Sequence, residues 1–129
     1  MARALSGRLP YAPTPEEEGA LFETYLLHEL RAYLSYSGLG YPLHDFRTHD
    51  DVEVDVVLET TKGFVALELK CTPEWRSRYS AGFRRLSAEL PGVRCIGVFA
   101  GSRAQRTDGV EILPYGELLA ALWEGAIIS

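Results

Sequence analysis

The chain has 129 residues, 47% of them hydrophobic, and a formal net charge of −5 at pH 7. That is the length of one ordinary domain, with enough apolar residues to bury a core. No apolar run reaches the about 18 residues of a membrane span, and the opening MARALSGRLPYAPTP lacks the apolar stretch of a secretory signal. Cys71 and Cys95 lie far apart without CxxC spacing, which argues against a disulfide framework or a zinc site. The expectation is a single-domain cytoplasmic protein with two free thiols.

Residues 1–13 show no clear period and read as an irregular lead-in to a core over 14–124. Thr14-Pro15-Glu16-Glu17 is a helix start: Thr14 can cap, Pro15 suits the first helical position, and Glu17 completes a capping box. This helix is expected to run to about Ser37 and to stop at Gly38 and Gly40. Phe22, Leu26, Leu27, Leu30, Tyr33 and Leu34 form its apolar stripe. A first strand is read over 41–48 and a second over 52–58, where apolar and polar residues alternate. Thr60-Thr61-Lys62-Gly63 has turn chemistry, and a third strand follows over 64–70. An irregular stretch begins at Pro73, and a helix is expected over 80–90, stopped by Pro91-Gly92. A central apolar strand over 93–100, a polar loop over 101–109, a short strand over 110–113 and a last helix to about Glu124 complete the chain. The order α-β-β-β-α-β-β-α predicts an α/β fold with a mixed sheet flanked by helices.

The register of the hairpin gives the first chemical clue. A turn centred on Thr61-Lys62 sets Glu59 against Phe64, Val57 against Ala66 and Asp55 against Glu68. Strand alternation then puts Asp55, Glu68 and Lys70 on one face, with Val54, Val56, Val65, Leu67 and Leu69 on the other. Two carboxylates directly opposite each other repel, so a compensating cation is expected. Mg2+ or Mn2+ suits hard carboxylate oxygens, and Lys70 is placed to assist a water or to offset phosphate charge. The helix gives a second clue. At about 100° per residue, Glu23 falls on the apolar stripe, where a buried carboxylate needs a partner. Gly19, one turn earlier, would permit close approach of helix and sheet. The same residues also fit solvated hairpin charges, with Lys70 bridging to Glu53 and Glu23 reaching an arginine.

Charge is unevenly distributed. Residues 62–106 hold nine Lys/Arg against three acidic residues, a net of +6, and the rest of the chain carries −11. Such asymmetry can build one basic face for nucleic acid or can be scattered over solvated surface. Trp75, Tyr79 and Phe83 interleave with Arg76, Arg78, Arg84 and Arg85, a pattern suited to stacking and phosphate contact or to an ordinary amphipathic helix. The apolar C-terminal segment, from Leu118 to Ile128, reads as core or as a docking surface for another domain or a second copy.

Taken together, Gly19-Ala20-Leu21-Phe22-Glu23, Phe46-Arg47, Glu53-Val54-Asp55-Val56-Val57 and Leu67-Glu68-Leu69-Lys70 resemble the PD-(D/E)XK nuclease superfamily. More narrowly, they resemble the nuclease-like domain of unknown function found C-terminal to AAA-type ATPase domains in prokaryotes. The likeness covers about residues 16–118. It implies a restriction-endonuclease-like core and a Mg2+-dependent nuclease acting on DNA. Asp55 and Glu68 would bind the metal, Glu23 would complete or support it, Lys70 would assist the attacking water, and Arg47 would contact phosphate. Val54 stands where the superfamily has Pro, and no GxxxxGK(S/T) occurs, so the ATPase would be a missing or separate partner. A catalytically silent regulatory, docking or nucleic-acid-binding module is the alternative.

Overall fold

Thr14 opens the first described helix as its chemistry dictates. Its hydroxyl accepts the Glu17 N–H at 3.2 Å, and the Glu17 carboxylate accepts the Thr14 N–H at 3.0 Å. In the computed structural model, which describes residues 14–129, this helix, α1, spans Pro15–Ser37. Gly38 closes it in a left-handed conformation, φ 72°, that glycine adopts without strain. The lead-in expected over 1–13 lies outside the described residues.

Among the described residues, six strands form one mixed sheet: β1 (His44–Arg47), β2 (Glu53–Thr60), β3 (Gly63–Lys70), β4 (Arg94–Phe99), β5 (Gln105–Thr107) and β6 (Val110–Pro114). Their spatial order is β1-β2-β3-β4-β6-β5. The central trio β3, β4 and β6 is parallel, and the outer pairs are antiparallel. A short 3-10 turn (Ser77–Ser80) leads into α2 (Ala81–Glu89), and α3 (Tyr115–Trp123) follows β6. The described residues therefore form a mixed α/β fold, six strands flanked by three helices.

One strand more is present than the sequence pattern announces. β5 lies within the segment expected to be a polar loop. Its three residues are all polar and all exposed, so they carry no alternation to read. The signal was in the turn: Asp108 (φ 53°) and Gly109 (φ 78°) both take positive φ, the requirement of the tight hairpin turn that Asp-Gly favours.

Helices cover both faces. Leu26, Leu30 and Leu34 of α1 and Leu118 and Leu122 of α3 pack on Val56, Leu58, Leu67, Ile96 and Val98. Phe83 and Leu86 of α2 pack on Val57, Ala66, Cys95 and Ile112 from the other side. Each such buried aliphatic or aromatic side chain contributes roughly 1.5–3 kcal/mol. Ile127 and Ile128 are buried in the first cluster, and the Tyr33 hydroxyl donates to the Ile128 carbonyl at 2.6 Å. The core thus runs past residue 124, and most of the apolar C-terminal segment is spent inside it; Trp123 stays exposed. Among the described residues, no helix is long and apolar enough to cross a membrane.

The hairpin register is the expected one, with Val57 against Ala66 and Glu59 against Phe64. The alternation along β2 is not. Against β1, Val57 pairs with His44 and Val54 with Phe46, so β2 spends an extra residue there and bulges. The bulge turns Val54 to the α2 side, while Val56 stays on the α1 side. The expectation that both valines share one face is corrected accordingly. Close helix-to-sheet approach is made by Gly82 rather than Gly19. A Cβ at Gly82 would collide with the Glu53 carbonyl oxygen, whereas among the described residues nothing lies within 4 Å of a Cβ at Gly19. This contact seats α2 directly on the start of β2.

Candidate active site

Main-chain pairing of β2 with β3 runs as far as Val56 against Leu67, and at the next step side chains take over. The Asp55 N–H donates to Glu68 Oε1 at 3.0 Å, and the Leu69 N–H donates to Asp55 Oδ2 at 2.8 Å. The two strands thus exchange carboxylates beside the bulge. Lys70, two residues beyond Glu68 on the same face, sets its Nζ 3.1 Å from Glu68 Oε2. Asp55, Glu68 and Lys70 come together as their spacing predicts. Asp55 and Glu68 are the groups here able to ligate a hard cation, which often uses one or two carboxylates and completes its shell with water.

Burial dominates the electrostatics. Glu68 is only 4% exposed, and its carboxyl is pushed up from 4.5 to about 7. Desolvation is the main cause and the nearby Asp55 charge the second; Lys70 and the Asp55 N–H pull the other way. For the ammonium, attraction rather than burial decides. Burial alone would lower Lys70, but attraction to Glu68, Asp55 and Glu53 outweighs it, and its pKa is raised. Burial thus leaves the glutamate reluctant to ionise despite Lys70, while the neighbouring carboxylates favour the charged lysine.

Glu23 does not sit where the helical stripe suggests. The buried residues of α1 are Leu26, Leu30, Tyr33 and Leu34, and Glu23 is exposed. The first turns of α1 lie past the ends of β3 and β4, where Leu21, Phe22 and Tyr25 border an open hollow with Cys71 and Ala100. Residues there keep the helical phase of the stripe without a sheet beneath them. Glu23 still feels the site: its pKa is raised by partial desolvation, then by Asp55 and Glu53, and lowered by Lys70. Among the described residues, no three His, Cys, Asp or Glu side chains converge closely enough to hold a metal ion. In this structure Asp55 and Glu68 adjoin each other, and Glu23 stands apart from them on the exposed side of α1.

The pair opens onto a cleft of about 330 Å³. Its lining brings Asp51, Val52 and Glu53, at the start of β2, together with Glu68 and Lys70 of β3 and with Arg78, Tyr79, Ala81 and Gly82 from the 3-10 turn and the start of α2. Lys70 Nζ lies 5.3 Å and the Arg78 guanidinium carbon 5.5 Å from the centre of the Tyr79 ring, within range of cation–π attraction. Of the four arginines singled out from sequence, Arg78 alone lines this cleft. Arg47 pairs with Glu53 at 2.5 Å, and Arg76 and Arg84 are exposed on the neighbouring segment without lining it.

The surplus positive charge of residues 62–106 is not gathered on one face. Arg94 and Arg106 both reach Glu111, Arg85 pairs with Asp50, and Lys62 bonds Ser129 Oγ at the far end of β3 from Lys70. Trp75 also leaves the surface pattern. Its indole lies against Gly97, meets Phe99 edge-on and donates to the buried Ser80 hydroxyl at 3.1 Å. It anchors the 3-10 turn to the sheet and so fixes Tyr79 at the cleft. Glu53 and Asp51 were not foreseen as cleft residues. The signal for Asp51 was the Asp50-Asp51 pair in a tight turn, where Asp51 takes φ 64°.

Comparison with curated proteins and with solved structures gave no match. A family model, "Domain of unknown function (DUF4143)", matches residues 18–118, from the second turn of α1 into α3 and including every residue of the carboxylate–lysine site. The match takes in most of the chain, which thus belongs to the DUF4143 family.

Proposed function

We propose that Asp55, Glu68 and Lys70 form a Mg2+- or Mn2+-dependent site that hydrolyses phosphodiester bonds in DNA, on a core of the PD-(D/E)XK, restriction-endonuclease-like kind. The observation that carries this reading is the exchange of two carboxylates across β2 and β3 beside a charged lysine, in an open cleft. Asp55 and Glu68 are the ligands in this reading. When bound, the ion would supply Lewis-acid polarisation of the phosphate and of the attacking water. Glu68 must release Lys70 and its own proton to serve as a ligand. The freed ammonium can then turn to the phosphate, orient the water and offset charge that develops on the non-bridging oxygens. Glu23 supports the site from its rim through charge rather than as a ligand. Arg78 contacts the substrate backbone from the cleft lining, and Arg47, Arg76 and Arg84 extend that contact outside it. The setting proposed is the cytoplasm, as part or partner of an AAA-type ATPase.

The test is a cleavage assay on single- and double-stranded DNA with Mg2+, Mn2+ and chelator. The reading predicts metal-dependent cleavage that Asp55→Ala and Lys70→Ala abolish. Absence of divalent-ion binding at millimolar concentration refutes it. One observation favours a second reading, a silent regulatory or docking module of an ATPase: both Glu68 oxygens are already engaged, by the Asp55 N–H and by Lys70. That reading predicts no cleavage with any metal and association with the ATPase or a second copy, and cleavage by the isolated monomer counts against it.

A further inference from the structure

We infer that the cleft accepts a single polynucleotide strand rather than a duplex, with Arg78 meeting a phosphate and Tyr79 a base. This rests on the proposed phosphodiesterase site for where the strand lies, and on the cleft's own lining for what it binds.

The lining is drawn from segments of opposite charge: Arg78 of the 3-10 turn with Lys70 of β3, and, at the start of β2, Asp51 with Glu53, the latter paired with Arg47. A duplex carries two phosphate backbones, about one negative charge per 1.7 Å of axis, and Asp51 and Glu53 repel whichever backbone faces them. A single strand has one charged edge and one edge of bases. Its phosphates can follow Arg78 and Lys70 while its uncharged base edge turns towards Asp51 and Glu53. The size agrees: about 330 Å³ is at the small end of ligand clefts and suits one nucleotide unit.

Tyr79 supplies the aromatic surface. Its ring lines the cleft and is braced edge-on by Trp75, with centroids 5.4 Å apart. Lys70 and Arg78 now rest against that ring. A phosphate offers both cations a charge-assisted bond stronger than an exposed cation–π contact, so an incoming strand draws them off and bares the ring for stacking.

The experiment is fluorescence anisotropy with a labelled oligothymidylate and a blunt duplex of equal length, in chelator so that nothing is cut. The oligothymidylate is expected to bind more tightly than the duplex at equal ionic strength. Tyr79→Leu should weaken it about 5- to 150-fold, the usual worth of one stacked base, and Tyr79→Phe should restore it. Arg78→Ala, on an exposed side chain outside the core, should lower the salt slope by about 0.7 and serves if Tyr79→Leu does not fold. Duplex binding as tight as single-strand binding overturns the inference, as does oligothymidylate binding indifferent to both Tyr79→Leu and Arg78→Ala. The readout is independent of turnover. Strand binding without cleavage in Mg2+ refutes the hydrolytic function alone, and duplex cleavage without single-strand preference refutes the strand preference alone.

Discussion

Replacing Glu68 by Gln isolates the buried carboxylate on which the site turns. The side chain keeps its shape and still accepts the Asp55 N–H, but it no longer ionises. In the folded protein the Glu68 carboxyl sits at about 7 against an ordinary 4.5. At about 1.36 kcal/mol per unit, that shift amounts to on the order of 3 kcal/mol. The sign follows from proton linkage. Between these two values the folded state holds the proton more often than the unfolded state, so stability falls as pH rises. The contribution is fully present below about 4.5 and is lost as pH passes through about 7. Unfolding by urea at a series of pH values, for wild type and Glu68→Gln, gives the difference between the two stabilities and cancels the other titrating groups. That difference should fall by roughly 3 kcal/mol from pH 4 to pH 8 in chelator, to the disadvantage of the wild type. A flat difference refutes burial as the dominant force. A difference that grows with pH shows that the Lys70 ion pair wins, and reverses the electrostatic order described for the site.

Three further outcomes follow from the same geometry. Because Glu68 must shed a proton to ligate, Mn2+ affinity measured by calorimetry should tighten as pH rises through 7, with proton release, and an affinity constant across that range contradicts this. Gly82→Ala forces α2 off the start of β2 and should cost about 1–3 kcal/mol in thermal or urea melts, and an unchanged melt would show that the contact gives way freely. Gly109→Val places a branched side chain at φ 78° and should destabilise the β5–β6 turn by about 1 kcal/mol or more; hydrogen exchange should quicken in β5 and not in β3, and uniform exchange argues against a local effect.

What the sequence disclosed, it disclosed where local chemistry and tertiary packing agree. Thr14, Pro15 and Glu17 mark the start of α1, and Gly38 its end, because capping is decided within a few residues. The pairing of β2 with β3 follows from a short turn and one apolar face. The bulge at Asp55 escaped because alternation assumes a regular pleat, and the extra residue is visible only against β1. That bulge lies beside the exchanged carboxylates and turns Val54 to the α2 side, so the irregularity and the site coincide. Glu23 misled for a related reason: periodicity gives the phase of a helix but not the point where the sheet beneath it ends. β5 escaped because three exposed polar residues have no pattern, although Asp108-Gly109 announced the turn. Tyr79 reached the cleft through Trp75, whose burial against Gly97 depends on contacts remote in sequence.

The most direct test of the proposed site measures Mn2+ binding and DNA cleavage side by side on wild type, Asp55→Ala and Lys70→Ala. The proposal predicts that wild type does both, Asp55→Ala does neither, and Lys70→Ala binds the ion without cleaving. Mn2+ binding that survives Asp55→Ala, or cleavage that survives Lys70→Ala, contradicts the assignment of these residues.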